Sequence, residues 1–126
     1  MKYQVIDDET LQERDLAPQG EHQFEVIRAE ELLSKKQIPM IKLTLKIVRN
    51  ESTYWVVDYL SESILWKIKH FMAAIGLKDN YSIGELSAED CLGRNGMVKI
   101  VQEYSDKYGI QAIVSKYIST MEKENV

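Results

Sequence analysis

Between Glu31 and Glu51 the chain carries Lys35, Lys36, Lys42, Lys46 and Arg49 and no acid at all. Three flat side chains follow closely, Tyr54, Trp55 and Tyr59, and three more, Tyr104, Tyr108 and Tyr117, lie towards the end. Cations in a run beside stackable rings are what a single nucleic-acid strand needs: positive charge along its backbone and faces for its bases. Each residue also has a plainer reading. Lysines on the solvent side of a strand keep sheets from aggregating. Trp55, Val57 and Tyr59 share one side of their segment and Tyr54, Val56, Asp58 and Leu60 the other, and either side could be core.

Signals for catalysis are weak. His22 and His70 are far apart, and neither has a Cys or carboxylate at metal-ligand spacing on its own segment. The phosphate-loop and HExxH patterns are missing, and Gly93-Arg94-Asn95-Gly96 is a two-glycine turn. Asp58, Glu103 and Lys99 are the one conceivable nuclease set. Cys91, after two acids in a short helical segment, has no neighbour that would activate it. The expectation is a protein without catalytic residues, metal or cofactor.

The 126 residues suit one domain, and 44% hydrophobic with 29% charged content suits a globular fold. No apolar run reaches the length of a membrane span, the first ten residues lack a signal-peptide core, and a lone cysteine offers no disulfide framework. A cytoplasmic setting is expected. The formal charge of −4 sits mostly at the ends. Residues 1–19 hold Asp7, Asp8, Glu9, Glu13 and Asp15 against Lys2 and Arg14 and read as an acidic leader ending in an Ala17-Pro18-Gln19-Gly20 turn. Residues 119–126 read as a short polar tail, and the body over residues 20–118 is neutral. Net charge governs solubility, whereas the local basic run speaks to a partner.

The elements that must position these groups follow from periodicity. His22–Ala29 reads as a strand. Met40–Val48 is the clearest one, Ile41, Leu43, Leu45 and Ile47 alternating with Lys42, Thr44 and Lys46, and Pro39 stands at its start. Asn50-Glu51-Ser52 turns the chain into a third strand, Tyr54–Leu60. From Ser63 the apolar spacing becomes helical through Ile64, Leu65, Ile68, Phe71, Met72 and Ile75, with Lys67 and Lys69 on the flank. Ser61 or Ser63 could cap this helix and Gly76 end it, while Trp66 and Phe71 read as core plugs. Ser87 and Asp90 stand at capping-box spacing on a second, short helix. Strands at Met97–Tyr104 and Tyr108–Ile118 complete the chain. The expected fold is mainly β (α+β): a five-stranded antiparallel OB-fold-like barrel with a helix between strands 3 and 4.

Several stretches resemble a family of small phage and prophage proteins taken for single-stranded DNA-binding proteins of replication and recombination modules. They are Gly20-x-x-x-Phe24-x-Val26, Ala29-Glu30, Pro39-Met40-Ile41-Lys42-Leu43-Thr44-Leu45, Asp58-Tyr59-Leu60, Trp66-Lys67-Ile68-Lys69-His70-Phe71, Ile75-Gly76-Leu77 and Leu92-Gly93-Arg94-x-Gly96 before Lys99-Ile100. The resemblance spans Gly20 to about Ile118 and implies an OB-like fold that binds single-stranded DNA. The tail departs from the acidic, aromatic-ended tails of many cellular single-strand binders.

Together these readings place DNA along Lys35, Lys36, Lys42, Lys46 and Arg49, with Trp55 or Tyr59 as a stacking platform. Partners would be single-stranded DNA, phage recombinase or replication proteins and further copies of the chain. The alternative is an accessory or inhibitory protein-interaction module of the same fold without DNA binding of its own.

Overall fold

Strict alternation on the second strand governs the architecture: with Ile41, Leu43, Leu45 and Ile47 on one side, that side has to be covered. The computed structural model describes residues 16–119. Five antiparallel strands form one sheet: β1 (Gly20–Leu33), β2 (Pro39–Arg49), β3 (Ser52–Ser61), β4 (Asn95–Ser105) and β5 (Gly109–Ile118). Between β3 and β4 lie α1 (Leu65–Ala74), a 3-10 helix (Lys78–Ile83) and α2 (Ala88–Cys91). The sheet order is β3-β2-β1-β4-β5. The protein is thus a mainly β, open antiparallel sheet with a few short helices.

β1 runs beyond its expected end to Leu33, where a tight turn at Ser34 leads into Pro39, the first residue of β2. The Ser34 hydroxyl accepts the Lys36 and Ile38 N–H groups there. Asn50 and Glu51, at φ 50° and 70°, make the two-residue turn to β3, whose left-handed conformation matches the twist of a hairpin. Most of the expected leader and tail, residues 1–15 and 120–126, lies outside the described residues. The end of the leader is docked: Ala17 is buried, its carbonyl accepts from the Gln102 side chain, and Gln19 accepts the Gln102 N–H.

α1 covers the inner face of the sheet. Phe71, Met72, Ala74 and Ile75 are buried, and the Phe71 ring stands edge-on to Tyr117 at 5.0 Å and near Phe24 at 6.4 Å. Gly76 ends the helix at φ 85°, with Gly76 N–H bonded to Ala73 and Leu77 N–H to Met72, the double closure that a left-handed glycine permits. The start differs from expectation. Neither serine caps α1: Ile64 precedes it without a side-chain cap, and Ser61 instead closes the turn before it through its carbonyl and hydroxyl. Trp66 is not a core plug but 56% exposed, with Ile64 and Leu65 also outward. Trp66 lies about 140° around the helix from Phe71, on the side turned away from the sheet. The capping box of α2 forms between Ser87 and Asp90 as expected.

Asp58, on β3, points inward and is buried. Its Oδ2 accepts the Tyr117 hydroxyl from β5 at 2.6 Å and its Oδ1 pairs with Lys67 of α1 at 2.5 Å. Lys67, expected on the solvated flank, is therefore tied down. A flat sheet would hold β3 and β5 about 19 Å apart, four strand spacings. A direct bond between them requires the sheet to curl until its two edges approach. Burial, reinforced by the Asp58 charge, holds the Tyr117 phenol well above its ordinary range.

Phe71→Ala should lower stability by about 3–5 kcal/mol in chemical denaturation, since it empties the centre of the core. Tyr117→Phe removes one bond to a buried carboxylate and should cost about 1.5–3 kcal/mol. A phenol that stays protonated when folded gives stability that is complete below the unfolded tyrosine value, about 10, and is lost as pH rises beyond it. Wild type should therefore lose stability above about pH 10, and Tyr117→Phe less so, in melts across that range.

Candidate nucleic-acid interface

The pleat sends Lys42, Thr44 and Lys46 to the side of β2 opposite its buried residues, and the β2–β3 register sets them against exposed partners. Lys42 is level with Tyr59, Thr44 with Val57, and Lys46 with Trp55. Trp55 is 59% exposed, Val57 46% and Tyr59 42%, while Val56, Asp58 and Leu60 are buried. The open question on β3 is thereby answered: the tryptophan side faces out. Trp55 and Tyr59 stand about 13 Å apart along the strand, far enough to serve separate bases. Among the described residues, neither ring stacks on another ring, and the lysines that lie over rings do so at Tyr81 and Tyr108. Both rings keep surface exposed to solvent.

The other cations are spread out. Lys35 and Lys36 sit in the β1–β2 turn at one end of β2, and Arg49 closes the other end. About 33 Å of strand separates these ends. Of the residues the sequence singles out, Lys42, Lys46, Trp55 and Tyr59 form a cluster, and Arg28 of β1, level with Thr44, joins it. Of the other aromatics, Tyr117 is buried and cannot stack on a base, and Tyr54 packs against the core. Tyr104 and Tyr108 are exposed near the β4–β5 turn.

Three residues of β1 that sequence reasoning overlooked, Glu25, Arg28 and Glu30, modify the field. Glu25 and Glu30 of β1 lie level with Lys46 and Lys42 on their other side. Each lysine therefore stands between an aromatic on β3 and a glutamate on β1. The Glu30 carboxylate pairs with Arg28, which stands level with Thr44 in the same row, so Glu25 beside Lys46 is the acid that dilutes the positive potential. The run free of acids in sequence is not free of acids in space. Glutamates at period two on β1 were visible in the sequence; which lysines they oppose depends on the register.

The conceivable nuclease residues do not converge. Asp58 is buried and engaged, whereas Lys99 and Glu103 lie on the exposed side of β4. Among the described residues no three His, Cys, Asp or Glu side chains gather as a metal site, and no helix is long and apolar enough to cross a membrane. Cys91 is buried against the Ser87 carbonyl, and burial, helped by the Asp90 charge, pushes its thiol up to about 12. Compared with known proteins, the chain matches no protein-family model and no curated sequence.

A thiol protonated at every ordinary pH and sealed from solvent should not react. Native protein at pH 8 should resist a disulfide-exchange reagent that labels one thiol per chain at once in guanidinium, as absorbance of the released thiolate reports.

Proposed function

We propose that this protein is a sequence-tolerant single-stranded DNA-binding protein of a phage replication or recombination module, working in the cytoplasm of a bacterial host. The observation that carries the reading is the exposed face on which Trp55 and Tyr59 stand in register with Lys46 and Lys42. Trp55, Val57 and Tyr59 exposed side by side form the kind of contiguous apolar patch that marks a binding surface. Their pairing with cations suits a ligand with flat bases on a charged backbone. The strand runs along β2, from Lys35 and Lys36 at one end towards Arg49 at the other. The scaffold is an OB-type barrel, supported by the strand order and by the Asp58–Tyr117 bond that draws the two sheet edges together. The family resemblance of the sequence points the same way, and recombinase or replication proteins are the partners that go with it.

Fluorescence anisotropy with a labelled oligothymidine of about 30 nucleotides tests the reading, because stacking tolerates any base. Micromolar binding at low salt is expected, and none at all would end the proposal. Lys42→Ala and Lys46→Ala should each weaken binding and flatten the log–log salt slope by about 0.7, one phosphate contact apiece. Trp55→Ala should lower affinity by about 1–3 kcal/mol with the slope unchanged. Glu25→Gln should tighten binding at low salt, since it removes a negative charge level with Lys46.

A further inference from the structure

On the inner side of the sheet, away from the Trp55 face, a groove of about 1070 Å³ opens between the β1–β2 hairpin and the α1–α2 segment. Its apolar floor includes Ile68, Met72 and Leu86, and Leu33 and Leu65 at its edge are more than half exposed. Four carboxylates, Glu31, Glu62, Glu85 and Asp90, line it, and no lysine or arginine does. Asp90 is held in its charged form, its carboxyl kept low by the Ser87 N–H and hydroxyl. A DNA backbone would be repelled here. The chain's own ends are poor occupants too, because residues 1–15 are strongly acidic and residues 120–126 hold Glu122 and Glu124 against Lys123.

We infer that this groove docks a cationic amphipathic segment of a partner protein, apolar side chains on the floor and Lys or Arg facing the carboxylates. An apolar face in a hydrophobic groove supplies the affinity of such complexes, and rim charges choose the partner and speed the encounter. The site is independent of the DNA reading: it lies on the opposite side of the sheet and shares none of its residues.

The full chain is titrated with a labelled Leu–Lys peptide of about 14 residues, roughly four helical turns, with leucines at helical i, i+3, i+4 and i+7 spacing. A peptide of the same composition in scrambled order is the control. The ordered peptide should bind more tightly than the scrambled one and shift the backbone NMR signals of Leu33, Leu65 and Leu86, not those of Lys42 and Trp55. Glu31→Gln/Glu62→Gln/Glu85→Gln should weaken it about tenfold. Leu65→Gln, at an exposed position that the fold does not need, should weaken it as well. Oligothymidine affinity should not fall in either variant. Equal binding of the two peptides, shifts on the Trp55 face, or sedimentation showing that Leu65→Gln dissociates a dimer of the chain would each overturn the inference.

Discussion

One buried carboxylate links the three parts of this fold. Asp58 receives the Tyr117 hydroxyl from the far edge of the sheet and the Lys67 ammonium from α1. A charge out of water is tolerable only when paired and hydrogen-bonded, and removing one partner leaves the others stranded. Curl of the sheet, seating of the helix and burial of the tyrosine are thus coupled. The Phe24 and Phe71 rings pack on Tyr117, so its hydroxyl reaches Asp58 from an aromatic cluster in the core.

The same contact orients the outer surface. Because Asp58 must face in, its neighbours Val57 and Tyr59 must face out, and Trp55 with them, since side chains alternate along a strand. The exposed aromatic face and the buried ion pair are two consequences of one register. A one-residue slip of β3 would bury Trp55 and expel the carboxylate. The fold therefore fixes the rings beside Lys42 and Lys46 without any dedicated loop.

The two sides of the sheet differ in chemistry. The outer side of β2 and β3 offers lysines and open rings, moderated by Glu25 of β1. The groove by α1 offers apolar floor and carboxylates.

Much of this was legible in the residues themselves. The alternation of Met40–Val48 determined which β2 residues face the core, the apolar spacing from Ile64 to Ile75 put Phe71, Met72 and Ile75 on the buried side of α1 although Ile64 and Leu65 at its start stay outside, and Ser87 with Asp90 and Gly76 marked helix ends through local hydrogen bonding. These are short-range effects, and the sequence carries them by itself. It could not say which side of β3 is inside, because Trp55, Val57 and Tyr59 are as apolar as Tyr54, Val56 and Leu60. That choice fell to Asp58, whose partners Lys67 and Tyr117 lie nine and 59 residues away. Trp66 was misjudged for a different reason: its size suggests core, but at about 100° per residue it stands on the side of the helix opposite Ile68 and Phe71, outside the apolar stripe. Nor could the spacing of the lysines reveal Glu25 and Glu30 beside them, since charges add up in space and only the register brings those strands side by side.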